Sequence, residues 1–215
     1  ITRGWGWKGN FPPLYQGLTG GHIPPMAILK IARMGHTVLR QRAAEVPDPT
    51  HPDIKRLVAD MIETMEDADG TGLAAPQVHV PLRVVVFKVG EQRLTGAADD
   101  TPEETTVLIN PLLEPQGDEQ MIDWEGCLSV PDMMGAVPRF TKLRYRAFTP
   151  EGGVIDRIVS GFHARVVQHE CDHLDGVLYP QRLHDLRLFG FADEMKRALE
   201  AAAQAAAAKT QPANA

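Results

Sequence analysis

The sequence predicts an α+β fold. Several short runs rich in β-branched residues follow one another without a helix between each pair, and apolar residues recur at helical spacing elsewhere. The chain has 215 residues, 43% hydrophobic and 23% charged, which suits one domain with its own core and is too apolar for a disordered chain. No run approaches the ~20 apolar residues of a membrane span, so no membrane partner is expected. Two cysteines, Cys127 and Cys171, are too few for a disulfide scaffold and point to a reducing compartment. A formal net charge of −6 argues against a broad nucleic-acid-binding face, and no DNA partner is expected.

Residues 1–44 hold Arg3, Lys8, Lys30, Arg33, Arg40 and Arg42 and no acidic residue. Such a stretch suggests an organellar transit peptide, but it contains no serine, and no apolar signal-peptide segment is present. Residues 1–25 are Gly/Pro-rich, with Trp5, Trp7, Phe11 and Tyr15 in no period. They are expected to form a disordered leader or an appended extension, with the natural start at Met26. One domain is expected over 26–200, followed by an alanine-rich tail over 201–215.

Ile54, Leu57, Val58, Met61, Ile62 and Met65 mark an amphipathic helix that ends in the acidic stretch before Gly70. Leu82–Phe87 reads as a strand. Residues 91–105 are polar and loop-like. Thr106–Ile109 is a second strand, stopped by Asn110-Pro111. Lys142–Phe148 and Val154–Val159 flank the turn Glu151-Gly152-Gly153 and are expected to pair as a hairpin. Gly161–His173 reads as a helix with Phe162, Val166 and Val167 inside, and Asp185 to about Ala208 as a terminal helix.

The chemistry concentrates in Gln168-His169-Glu170-Cys171-Asp172-His173, an H-E-x-x-H match on an independently expected helix. Residues four apart share a helical face, so His169 and His173 can present both imidazoles to one ion. Glu170 lies beside that face, placed to take a proton from water activated by the ion. His22, His36, His51, His79, His163 and His184 lack such company and are expected to be solvated or hydrogen-bonded. A catalytic site needs a third ligand. The metzincin continuation H-E-x-x-H-x-x-G-x-x-H is met at Gly176 but fails at Tyr179, a poor ligand at neutral pH. Glu194 and Glu200 are formally available to a glutamate-liganded zincin, but no motif surrounds them. Cys171 falls on a different face of the helix and is expected to pack as a small hydrophobe. Cys127, in the loop Trp124-Glu125-Gly126-Cys127-Leu128-Ser129, would complete a Cys-His-His set; alone, it reads as a buried inert thiol. A third segment, Gly70-Thr71-Gly72-Leu73-Ala74-Ala75-Pro76-Gln77, is no phosphate loop; its small residues let backbone lie close to a substrate, and Gln77 can donate to a developing oxyanion. Alone, this segment reads as an ordinary turn.

Three motifs thus stand in one order: G-T-G-L-A-A-P-Q, E-G-C-L-S and Q-H-E-C-D-H. Together, over roughly Ile31 to Met195, they resemble the peptide deformylase family, metalloenzymes that remove the N-formyl group from initiator methionine. The resemblance implies a compact domain with the H-E-x-x-H helix packed between small antiparallel sheets. It implies metal ligands at Cys127, His169 and His173, with Fe²⁺ the expected ion and Zn²⁺, Ni²⁺ or Co²⁺ able to replace it. It implies Glu170 as general base and acid, Gln77 and the Leu128 N–H as oxyanion donors, and Gly72, with Gly70, against the formyl group. Phe162 and Val166 are candidates for the methionine pocket. N-formylmethionyl peptides are the expected substrates, the ribosome near its exit tunnel the expected partner, and the bacterial cytosol the expected location. Many bacterial relatives place an arginine shortly after the second motif, where this chain has Met133 and Met134. Two other functions fit parts of the pattern. A zincin endopeptidase would cleave casein, and a structural metal site would unfold when stripped.

Overall fold

The computed structural model describes residues 27–210, with side chains to residue 205. The expectations for a leader and a start at Met26 lie outside the described residues. Helix α1 spans Pro52–Asp67. Its cap is a histidine: the His51 ring accepts a hydrogen bond from the Asp53 N–H at 3.2 Å, and Pro52 occupies the first turn, where its missing N–H costs nothing. Gly70, just past its end, is closely packed: a Cβ there would stand 3.0 Å from the tip of the Leu128 side chain and 3.2 Å from the Met65 carbonyl oxygen.

The strands are β1 (Gly72–Ala74), β2 (Val84–Val89), β3 (Glu103–Pro115), β4 (Gln120–Cys127), β5 (Val130–Phe140), β6 (Lys142–Phe148), β7 (Val154–Ser160) and β8 (Phe189–Phe191). Helices α2 (Gly161–Leu174) and α3 (Ala192–Thr210) complete the order. The strands form two antiparallel sheets, β1-β2-β3-β6-β7 and β4-β5-β8.

The larger sheet is covered on both faces, which explains why β2 reads as an unbroken apolar run. Val84 and Val86 join Ile54, Leu57, Met61 and Met65 of α1 in one core. Val85 and Phe87 point the other way, with Val166, Val167, Cys171 and Leu174 of α2. The far side of α2 meets the smaller sheet, so the H-E-x-x-H helix lies between the two sheets, as expected.

The start of α2 is anchored from a distance. Ser160 makes no side-chain cap; the carboxylate of Asp100 instead accepts from the N–H groups of Phe162 and His163, at 3.2 and 3.1 Å. Asp100 also accepts from the Thr95 N–H and hydroxyl, which ties the 91–105 segment to the helix. His163, expected to be solvated or hydrogen-bonded, is buried against Tyr145 and Phe87.

The structure corrects four expectations. Asn110-Pro111 does not stop β3; it makes a bulge with Asn110 at φ 53°, and the Asn110 amide exchanges two 2.9 Å hydrogen bonds with the Val46 backbone. The segment 91–105 is not all loop, because β3 begins at Glu103. The segment Gly70–Gln77 is no ordinary turn but an edge strand followed by a 3₁₀ turn over Ala75–Val78. The terminal helix starts at Ala192 rather than Asp185, because Phe189-Gly190-Phe191 pairs with Gly135-Met134-Met133 as β8. No described helix is long and apolar enough to cross a membrane.

Candidate active site

The helical spacing of His169 and His173 sets their rings edge to face, with centroids 5.1 Å apart on one side of α2. Cys127 arrives from the other sheet. It ends β4 rather than lying in a loop, at a register break where Gly126 and Cys127 pair with Met134 and Val130. That break turns its thiol onto the helix, with Sγ 3.4 Å from His173 Nε2. One ligand atom from each of Cys127, His169 and His173 lies within 4.8 Å of the others. A soft thiolate and two imidazoles suit a divalent transition metal, and three protein donors leave a coordination position open.

The cluster opens on a cavity of about 500 Å³. Gly70, Gly72, Gln77, Leu128, Phe162 and Val166, six residues singled out in the sequence, all line it. Glu170 lines it too, buried, with Oε2 unpartnered among the described residues. Burial pushes its carboxyl up to about 7, against the pull of the neighbouring His169. Such a group exchanges protons near neutrality. Burial and His169 hold His173 well below the ordinary histidine range, which favours the neutral imidazole, the form able to bind a metal.

Gln77 is fully buried and fixed by its surroundings. Its Oε1 accepts from the Ala74 N–H at 2.8 Å, so its amide N–H₂ faces Ser129 Oγ at 3.1 Å and Cys127 Sγ at 3.6 Å. The amide therefore meets the cavity donor-first.

Sequence reasoning missed the charged layer beneath the histidines. Glu125 accepts from His169 Nδ1 at 2.8 Å, which leaves Nε2 for the metal cluster. Arg139 donates two 2.9 Å hydrogen bonds to Glu125, and Arg165 donates a third at 2.8 Å. Burial alone would raise the Glu125 carboxyl, but the bonds from Arg139 and His169 hold it far below the usual range. Arg139 also donates to Asp172, which in turn accepts from Arg182. The only trace in the sequence is the spacing of Arg165 and His169, four apart on α2.

The remaining candidates add no ligand to the cluster. Cys171 packs in the core between α2 and the larger sheet, and burial pushes its thiol up, as expected of a small hydrophobe. Tyr179 stacks on the His169 ring at 6.1 Å and closes the cluster from behind. Met133 lines the cavity; Met134 does not, and pairs with Gly126 and Gly190 instead. Glu194 and Glu200 sit exposed on α3.

The family model for polypeptide deformylase matches residues 28–188. The chain belongs to the polypeptide deformylase family. It is 49% identical over 168 residues to peptide deformylase 1 of Nitrosomonas europaea, covering 78% of this chain and 94% of the relative. It is also 49% identical over 166 residues to peptide deformylase 2 of Ralstonia nicotianae, covering 77% and 93%. Among solved structures, the Met-Ala-Ser-bound class I type b peptide deformylase of Acinetobacter baumannii superposes with a TM-score of 0.67 at 32% identity, over 74% of this chain and all of that one. The family match begins three residues before the Ile31 expected from the motifs and ends before β8 and α3.

Proposed function

We infer that the chain hydrolyses the N-formyl group of N-formylmethionyl peptides and releases formate. The observation that carries the mechanism is the convergence of Cys127, His169 and His173 within 4.8 Å, beside a buried carboxylate with a free oxygen. These three residues would hold one divalent ion, Fe²⁺ foremost, with Zn²⁺, Ni²⁺ or Co²⁺ suited to the same donors. When bound, the ion acts as a Lewis acid that polarises the formyl carbonyl and makes water acidic near neutral pH.

The chain's own residues do the rest. Glu170 takes a proton from the attacking water at its free oxygen and returns it to the departing methionine nitrogen. The Gln77 amide and the Leu128 N–H donate to the oxygen on which charge develops; one such donor is worth roughly 3 kcal/mol in the transition state. Gly72 and Gly70 leave room for a one-carbon acyl group, so an acetyl group is rejected sterically. Phe162 and Val166 offer the methionine side chain an apolar wall. Because such substrates arise on nascent chains, we propose the ribosome near its exit tunnel as the partner and the bacterial cytosol as the location.

Formate release from formyl-Met-Ala-Ser, with metal analysis on the same sample, tests this reading. Glu170→Gln should keep the ion and lose turnover by several orders of magnitude. Near-normal turnover in that metal-loaded variant would remove Glu170 from the role.

A further inference from the structure

Arg93 stands where the catalytic cavity meets a second depression of about 770 Å³; the two share Asp69, Gly70, Thr71 and Arg93. Its guanidinium lies 4.4 Å over the Phe162 ring, and no carboxylate pairs with it among the described residues. The other arginine facing the cavity, Arg165, is consumed by Glu125 and the carbonyls of Asp123, Val137 and Met121. Arg93 is therefore the guanidinium at the cavity with its donors still to spend.

Arg93 is exposed, but the segment that carries it is tied to α2. Two residues on, Thr95 donates to Asp100 at 2.6 and 2.7 Å, and Asp100 holds the first turn of α2, where Phe162 sits. Stacking on Phe162 also holds the guanidinium plane without using its N–H groups. A guanidinium already stacked on a ring loses less entropy on gripping a carboxylate than a free one.

The other charges decide how broad such a preference can be. Lys88 lines the same depression, but so do Asp69 and Glu104, while Glu103 is taken by Arg157. Asp132 lies on the cavity margin from the other sheet. Attraction for an acid is thus local to Arg93 and is not a property of the whole surface.

We propose that Arg93 is a substrate-binding residue that favours formylmethionyl chains carrying an acidic side chain at one of the first two positions after the methionine. This rests on the deformylase reading: with the formyl group against Gly72 and Glu170, the following residues leave by the open side of the cavity, where Arg93 stands.

The test measures formate release by the metal-loaded full chain from formyl-Met-Xaa-Ala and formyl-Met-Ala-Xaa, with Xaa as Asp, Ser or Lys. At one of the two positions, kcat/KM for Asp should exceed that for Lys by about two- to five-fold at low salt, carried by KM, and the ratio should shrink as salt is added. Arg93→Ala should bring the ratio toward one, Arg93→Glu should reverse it, and Arg93→Lys should retain part of it. Equal Asp-to-Lys ratios in the unaltered chain and in Arg93→Glu, with formate still released, would overturn the assignment and leave the deformylase reading intact. No formate from any peptide would overturn both.

Discussion

Gly72 and Glu170 occupy each other's space: a Cβ on Gly72 would overlap the Glu170 carboxylate. Gly72 has no positive φ to justify it, and its neighbours in β1 pair regularly with β2. The missing side chain is what lets an edge strand lie against the buried acid of α2. Gly72→Ala should therefore push the carboxylate aside while leaving Cys127, His169 and His173 untouched. We expect kcat to fall about 100-fold or more with metal content unchanged, read by formate release alongside metal analysis. Unaltered kcat would show that Glu170 does not need that position.

Cys127 joins the cluster from a different sheet than the one that packs on the opposite face of α2, and the two main cores lie clear of it. Cys127→Ala should lose the ion, and a chelator should abolish activity in the unaltered chain. Neither should unfold the domain. Circular dichroism and a cooperative melt after stripping check this; collapse of the fold would mark the cluster as a structural site.

Glu125 holds two buried guanidinium groups as well as His169. Glu125→Ala strands Arg139 and Arg165 without their shared partner and should cost about 3–5 kcal/mol of stability. It also frees the His169 ring, which should weaken metal binding about 10- to 100-fold. Glu125→Gln keeps a hydrogen-bonding oxygen and should lie between. Denaturant titration and metal competition separate the two effects.

Asp100 should make the domain sensitive to acid. Burial opposes its charge, but hydrogen bonds from Thr95, His163 and Phe162 outweigh that and hold its carboxyl below its ordinary 3.8. A lowered native pKa contributes stability that is fully present above the unfolded value and is lost as pH falls through the native one. Between about pH 5 and pH 3 the unaltered domain should therefore weaken more steeply than Asp100→Asn. At pH 7 that variant should itself be less stable by about 1 kcal/mol, as for a lost helix cap. Identical pH slopes in urea titrations would exclude the group.

Local order was legible where the sequence carries a period or a punctuation mark. The α1 stripe, the β6–β7 hairpin and the extent of α2 follow from spacing and turn residues, and each forms as expected. Strands β4 and β5 were not legible. Met-Ile-Asp-Trp-Glu-Gly-Cys and Val-Pro-Asp-Met-Met-Gly-Ala-Val-Pro have neither alternation nor a β-branched run, and they are strands because they pair with each other from Gln120–Phe140 inward. Nor was β8, whose Gly190 sits between two phenylalanines and pairs with Met134, 56 residues earlier in the chain.

By itself the sequence determined which residue types carry the chemistry, and that His169 and His173 share a face, because a 3.6-residue period is a property of the local backbone. Only the tertiary structure decided that a thiol 46 residues away reaches His173, that Glu125 lies under His169, and that Gly72 gives way to Glu170. Those relations join separate elements, and their distances are set by how two sheets pack around one helix.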